Sequence, residues 1–169
     1  MTKQNQSSVA VIMGSDSDMK VMQSCIDTLK GFDISPVVRI ISAHRTPEIA
    51  DDFAVNAENN GIKIIIAAAG LAAHLAGALA SRTTLPVIGV PIQASSSPTG
   101  LDALLSTVQM PRGVPVATVA IGKPGAKNAA YLALQILALS DENISKRLKE
   151  NRQQQKQEII EKNSQLNQQ

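Results

Sequence analysis

Residues 9–18 read Val-Ala-Val-Ile-Met-Gly-Ser-Asp-Ser-Asp, and this stretch decides the fold. The apolar run 9–13 is short and ends at Gly14, so it predicts a buried β-strand. Apolar residues then recur at helical spacing over residues 19–30. The chain therefore begins with a strand, a tight turn and a helix.

The turn between this strand and helix has the composition of a phosphate site. Backbone N–H groups at the start of a helix point outward, and the helix dipole favours an anion there. Gly14 removes a side chain from the turn, and Ser15 and Ser17 offer hydroxyl donors. Asp16 and Asp18 would repel a phosphate, so at least one of them caps the helix or binds sugar hydroxyls. The alternative is a turn with an ordinary helix cap.

Strand and helix patterns alternate five times along the chain. We predict strands at residues 9–13, 34–41, 63–69, 86–90 and 116–121. Helices are predicted at 19–30, from 47 to about 60, from 75 to about 81, at 100–109, and from the turn at 122–125 to about 139. Short links between such elements predict an α/β fold, a three-layer αβα sandwich around a five-stranded parallel sheet.

Three unusual turns follow the first three predicted strands. They read GSDSD at 14–18, SAHRT at 42–46 and AGLAAH at 69–74. Ligands of open parallel sheets bind outside the carboxyl ends of the strands. All three turns are therefore expected to converge on one crevice.

Both histidines of the chain lie in these turns, as His44 and His74. A loop histidine with an ordinary pKa of about 6.5 can give and take a proton near neutrality. Arg45 presents a fork of donors that suits a phosphate. The alternatives are a solvated His44, a surface ion pair of Arg45, and a structural His74.

The overall composition excludes several classes of function. The chain has 169 residues and a net charge of +2, which is too small to indicate nucleic acid or an anionic membrane. Cys25 is the single cysteine and is expected to be buried, so there is no disulfide framework and a cytoplasmic location fits. No metal-ligand spacing, P-loop or dinucleotide fingerprint is present. No apolar run is long enough to cross a membrane.

The two ends of the sequence differ from its centre. Residues 1–8 are polar and are expected to form a disordered tail before a catalytic domain at 9–140. Residues 141–169 are Gln-rich and charged, with a thin apolar stripe. We expect a helical extension that packs on a neighbouring subunit, with a partly frayed tail as the alternative.

Four motifs together resemble a known family. MGSDSD at 13–18, SAHRTP at 42–47, AAGLAAHL at 68–75 and GLDALLSTVQMP at 100–111 are similar to the class I 5-(carboxyamino)imidazole ribonucleotide mutases of purine biosynthesis. The similarity covers residues 9–139. It implies a flavodoxin-like fold, a homo-octamer, and no metal or organic cofactor. The implied reaction moves a carboxylate from the exocyclic nitrogen of an aminoimidazole ribonucleotide to the neighbouring ring carbon.

The resemblance also implies roles for individual residues. His44 would be the acid–base residue, and Asp18 would accept hydrogen bonds from the ribose hydroxyls. Four residues would hold the ribose phosphate, namely Ser15, Ser17, Ser42 and Arg45. The remaining substrate-binding residues would be Gly14, Ala43, Ala69, Gly70, His74 and Leu75, the last four of them shaping a small pocket that traps carbon dioxide.

The third turn departs from the family's usual Gly-Gly-Ala-Ala-His-Leu-Pro-Gly. Leu71 stands where the family has its second Gly, and Ala76 stands where it has Pro. A leucine there restricts the backbone or narrows the pocket, and Ala76 removes a fixed φ angle.

Three other functions remain to be weighed against the mutase. A class II carboxylase of the same family would use free carbon dioxide and the unmodified amine. A receiver-type signalling domain would share the five-stranded fold and Lys123-Pro124, but it needs an aspartate after the third strand, where this chain has residues 67–70, Ala-Ala-Ala-Gly. A non-catalytic ribonucleotide-binding module would leave His44 without a purpose.

Overall fold

The computed structural model describes residues 7–166. The expected N-terminal tail lies mostly outside them, at residues 1–6. The strands are β1 (Val9–Met13), β2 (Val37–Ile40), β3 (Ile64–Gly70), β4 (Val87–Ile92) and β5 (Ala117–Thr118). The helices are α1 (Met19–Lys30), α2 (Pro47–Asn56), α3 (Leu75–Ala80), α4 (Leu101–Val108), α5 (Gly122–Leu137) and α6 (Glu142–Leu166).

All five strands pair in parallel, in the order β2-β1-β3-β4-β5. This order and the intervening helices form the predicted αβα sandwich of the flavodoxin-like class. Parallel crossovers are right-handed, which places α1 on one face of the sheet and α2, α3 and α4 on the other. Contacts of α3 with both α2 and α4 agree with this arrangement.

The core follows from the apolar strands at the centre of the sheet. Every residue of β1 and β4 is buried, and so are the first five residues of β3. Ile12 and Ile65 pack with Phe53 of α2 and Leu79 of α3 on one face. The unbroken apolar stretch of β3 is therefore buried on both faces, as its composition predicts.

Several predicted element ends are wrong by a few residues. β2 begins at Val37 instead of residue 34 because Ile34 donates its N–H to Leu29 O at 3.0 Å and Pro36 has no N–H to donate. β4 runs on to Ile92 through Pro91, which pairs with Ala69 of β3. α2 ends at Asn56, and the edge strand β5 has two residues instead of six.

Within the described residues the chain divides into two compact units, between Ala133 and Leu134. The second unit contains the last turn of α5 and all of α6. Asp141 caps α6, because its Oδ1 accepts hydrogen bonds from the N–H groups of Asn143 and Ile144 at 3.0 and 3.1 Å. Among the residues 7–166, no helix combines the length and the apolar character that a membrane span requires.

Candidate active site

The first turn, at the carboxyl end of β1, is held together by hydrogen bonds. Gly14 N donates to Ala68 O at 3.0 Å, which ties the turn to the neighbouring strand β3. Ser17 Oγ donates to Ser15 Oγ at 2.9 Å, and Ser15 Oγ donates to Asp16 Oδ1 at 3.1 Å. Both serine hydroxyls are thus held at the start of the helix, beside the N–H groups that favour an anion.

Asp18 has a structural task within this turn. Its Oδ2 accepts a hydrogen bond from Ser15 N at 3.1 Å, and the residue is 7% exposed. Burial raises the pKa of the Asp18 carboxyl, while hydrogen bonds from Ser15, Ser17 and Gly14 act in the opposite direction. A buried carboxylate is a strong acceptor for a ligand hydroxyl.

The second turn is closed by a threonine side chain. Thr46 Oγ1 donates to Ser42 O at 2.9 Å and accepts from Ser42 N at 3.0 Å. Thr46 does occupy the N-cap position of α2, but its side chain makes no capping bond there. Threonine is a common N-cap residue, but here its hydroxyl closes the turn instead of capping the helix.

Arg45 joins the second turn to the first. Its Nη2 donates to Gly14 O at 3.1 Å, and its Nε lies 3.4 Å from Ser42 Oγ. The side chain is exposed and makes no ion pair with any carboxylate among residues 7–166. The surface ion pair considered from the sequence is absent from the described structure, and the guanidinium is free to meet an anionic ligand.

The third turn is built from small residues in a tight backbone. Ala73 N donates to Leu71 O and His74 N donates to Ala72 O, each at 2.8 Å. Leu71 takes the left-handed conformation, with φ at 55°. Gly70 lies against β4, where an added Cβ would be 3.0 Å from Ile92 O.

The two histidines meet across the second and third turns. His44 Nε2 lies 2.9 Å from His74 Nδ1, and the rings are T-shaped with centroids 5.0 Å apart. One of these nitrogens carries the hydrogen and the other accepts it. The contact orients the His44 ring, and both histidines line the cavity described below.

The three turns surround one cavity of about 690 Å³. Every site residue that the sequence predicts lines it: Gly14, Ser15, Ser17, Asp18, Ser42, Ala43, His44, Arg45, Ala69, Gly70, His74 and Leu75. The lining residues that sequence reasoning missed as site residues are Lys20, Val21, Leu71, Ala72, Ile92, Gln93, Ala94 and Ser95.

The position of residues 92–95 at the cavity could have been predicted from the sequence. β4 is adjacent to β3 in the sheet, so its carboxyl end opens onto the same edge. Residues 92–95 lie between the predicted strand at 86–90 and the predicted helix at 100–109, so the same rule places them at the cavity. Lys20 and Val21 line the cavity because they lie in the first turn of α1, directly after the turn at 14–18.

Other reactive groups lie away from this chemistry. Cys25 is fully buried, as expected, and burial raises the pKa of its thiol to about 12. A thiol held in its neutral form is a poor nucleophile and a poor metal ligand. Within residues 7–166, His, Cys, Asp and Glu side chains form no cluster of three that could hold a metal ion.

The chain is similar to a well-defined set of known proteins. The family model described as AIR carboxylase matches residues 8–158. The N5-carboxyaminoimidazole ribonucleotide mutase of Bacillus subtilis (strain 168) is 51% identical over 158 residues, which are 94% of this chain and 97% of the relative. The mutase of Escherichia coli (strain K12) is 48% identical over 160 residues, 95% of this chain and 94% of the relative.

Solved structures give the same result. The crystal structure of Treponema denticola PurE superposes with a TM-score of 0.84 at 33% identity, covering 94% of this chain and 97% of that one. The family match spans the whole sheet and all three turns of the cavity. A receiver domain is thereby ruled out, and the chain belongs to the AIR carboxylase family.

Proposed function

We propose that the protein is an N5-carboxyaminoimidazole ribonucleotide mutase of purine biosynthesis. The reaction moves a carboxylate from the exocyclic nitrogen to the neighbouring ring carbon of the same nucleotide. The observation that carries the proposal is the position of His44: it lies in one of two polar turns that suit a ribose phosphate, and it contacts His74 of the turn of small residues. Family membership and relatives near 50% identity support the same reaction.

The polar turns would bind the phosphate and the ribose. Ser15, Ser17 and Ser42 line the same cavity as Arg45, whose guanidinium has no carboxylate partner in the described chain. Asp16 now accepts hydrogen bonds from Ser15 Oγ and Ser17 N, the donors that a phosphate would use. Asp18 would accept hydrogen bonds from the ribose hydroxyls, which accounts for a carboxylate so near a phosphate.

His44 would supply both proton transfers of the reaction. When the bond between the exocyclic nitrogen and the carboxylate carbon breaks, carbon dioxide forms and His44 donates a proton to that nitrogen. The neighbouring ring carbon then forms a bond with carbon dioxide, and His44 removes the proton from that carbon. The proton is returned, so the isomerisation needs no co-reactant, and we propose no metal or organic cofactor.

The third turn would hold carbon dioxide between these two steps. Ala69, Gly70 and Ala72 leave space beside His44 because they carry little or no side chain. Leu75 is 2% exposed and forms an apolar wall of the same cavity. Holding the released molecule beside the ring carbon makes recarboxylation effectively unimolecular.

The first test is the activity of the wild type and of His44→Asn with the carboxyamino nucleotide as substrate. Loss of the proton transfers should lower kcat about a hundredfold or more. Calorimetry should show that nucleotide binding is largely kept, because phosphate and ribose contacts lie on other residues. Asn keeps a polar side chain of similar size, so that a lost fold does not explain the result.

Other outcomes of this test point elsewhere. Turnover of the unmodified amine with bicarbonate, and not of the carboxyamino nucleotide, would establish the class II carboxylase reaction instead. A wild type that binds the nucleotide and converts neither compound would leave a binding module.

We also propose that the enzyme works as a homo-octamer in the cytoplasm, with the first half of α6 packed on a neighbouring subunit. Apolar side chains exposed on helices support assembly: Leu101, Leu105 and Val108 lie one turn apart on α4, and each is about half exposed. Truncation after Ser140 should lower the number of subunits in the assembly, as measured by light scattering, whereas truncation after Leu166 should leave that number unchanged. An intact octamer in the shorter variant would contradict the role of α6.

A further inference from the structure

Leu71 has an unusual backbone conformation for its side chain. Its φ of 55° lies in the left-handed region, which favours glycine and disfavours a residue with a bulky side chain. In the described chain one other non-glycine residue has a positive φ, Asp33 at 63°, and aspartate tolerates this region better. Strained residues of this kind cluster at ligand sites, so the conformation of Leu71 indicates a functional role.

The side chain of Leu71 is also unusually exposed. It is 47% exposed and lines the cavity of the active site. Two other large apolar residues of the lining, Leu75 and Ile92, are buried at 2% and 4%. Of these three side chains of the lining, Leu71 is the exposed one.

The turn around Leu71 fixes where this side chain stands. Gly70, Ala72 and Ala73 have no side chain beyond a methyl group, so Leu71 carries the one long side chain of residues 70–73. Its carbonyl accepts a hydrogen bond from Ala73 N at 2.8 Å, and the following carbonyl accepts from His74 N at the same distance. Since His74 contacts His44, the turn that holds Leu71 is the turn that orients the catalytic ring.

We propose that the side chain of Leu71 covers the carbon dioxide pocket and keeps the intermediate from escaping. This inference rests on the proposed mutase reaction. Cleavage of the bond from nitrogen to carboxylate, with a proton passed from His44 to the nitrogen, leaves the amine and carbon dioxide side by side. Carbon dioxide that departs before the bond to the ring carbon forms leaves the amine as the product. The leucine side chain lowers the rate of that departure and lets the second bond form.

Label exchange measures the escape directly. The carboxyamino nucleotide is converted in buffer with ¹³C-bicarbonate, and ¹³C in the carboxylate of the product is measured together with the free amine, after subtraction of a reaction without enzyme. In the wild type the product should be almost unlabelled. In Leu71→Ala, which shortens the side chain and keeps a Cβ, labelled product plus amine should rise about fivefold, which corresponds to about 1 kcal/mol in the competition between escape and recapture.

Two further variants separate the side chain from the backbone. Leu71→Gly should show the same rise in escape while its melting temperature stays unchanged or increases, because glycine adopts the left-handed conformation without strain. Asp33→Gly makes the same backbone change at a residue outside the cavity lining, and it should leave label exchange at the wild-type level.

The outcomes are distinguishable from a failure of the proposed function. A wild type that converts no carboxyamino nucleotide would remove the mutase proposal itself. A wild type that converts it, with Leu71→Ala and Leu71→Gly showing unchanged escape, would overturn the role of Leu71 alone. A change of mass by light scattering in both variants would also overturn it, because Leu71 would then contact another subunit instead of the substrate pocket.

Discussion

The turns after β1 and β2 and the turn after β3 lie at one edge of the sheet, yet they are built in different ways. The first two are polar and are held by side-chain hydrogen bonds, such as Thr46 Oγ1 to Ser42 O and Ser17 Oγ to Ser15 Oγ. Before His74, the third contains Gly and Ala with one leucine, and it is held by hydrogen bonds of its own backbone. The two polar turns suit a charged group such as a phosphate, and the third turn suits a small neutral molecule.

Strand pairing brings these two kinds of turn together. Met13 of β1 is in register with Ala68 of β3, so Gly14 and Ala69 are neighbours at the ends of adjacent strands. A Cβ added to Gly14 would lie 3.7 Å from that of Ala69. We call the turns after β1 and β2 the polar half of the site, and the turn after β3 the apolar half. The two halves meet where the adjacent strands β1 and β3 end. His44 of the polar half contacts His74 of the third turn. Because the two halves differ in their chemistry, we expect that each can be changed with little effect on the function of the other.

The largest effect is expected at Arg45, the cation of the polar half. Arg45→Met should raise KM about 10- to 100-fold, because charge-assisted hydrogen bonds to the phosphate are lost. The change in kcat should be smaller, since His44 and the apolar turn remain. Steady-state kinetics with the carboxyamino nucleotide measures both constants.

Arg82 offers a matched control for this substitution. Arg82 pairs with Asp51 on the exposed surface and does not line the cavity. Arg82→Met removes the same charge and should leave KM unchanged. A tenfold loss of kcat in Arg45→Met at unchanged KM would place Arg45 with the chemistry and contradict the division between the halves.

The next effect is expected at Asp18, where binding and stability should change in opposite directions. Asp18→Asn should raise KM about tenfold by weakening the acceptor for the ribose hydroxyls. The same change should stabilise the fold at pH 7. Because burial raises the pKa of Asp18, the folded state binds its proton more tightly than the unfolded state does, and ionisation costs stability.

The pH dependence of stability checks the sign. In the wild type this cost is absent below the ordinary carboxyl pKa of 3.8, grows as the pH rises through the raised folded value, and is constant above it. The gain in melting temperature of Asp18→Asn should therefore be present at pH 7 and vanish below about pH 3.8. Asp27→Asn, at an exposed position of α1, should show no such gain. A gain that grows on acidification would contradict the argument.

Much of this site could be predicted from the sequence because the residues of its polar half belong to short motifs that can be recognised locally. The strand, turn and helix at 9–30 and the pair His44-Arg45 need no knowledge of distant contacts. The edge rule for parallel sheets then brings the turns together, and all twelve predicted site residues line the cavity.

What the sequence did not reveal depends on distant contacts or on backbone angles. Thr46 has the composition of a helix cap, but its hydroxyl bonds to Ser42, four residues earlier, which local propensity does not distinguish. The contact of His44 with His74 joins residues 30 positions apart. The positive φ of Leu71 runs against the preference of its residue type, so no propensity would assign it.

The smallest effect is expected from adding a methyl group to a glycine in each half. A Cβ at Gly70 would lie 3.0 Å from Ile92 O, a backbone atom that cannot turn aside, whereas one at Gly14 would make contacts of 3.7 Å or more. Gly70→Ala should lower the free energy of unfolding by about 1 kcal/mol, and Gly14→Ala should change it little. Urea denaturation measures both. Equal loss in the two variants would mean that the polar turn is packed as tightly as the apolar one, and the contrast between them would then lie in chemistry alone.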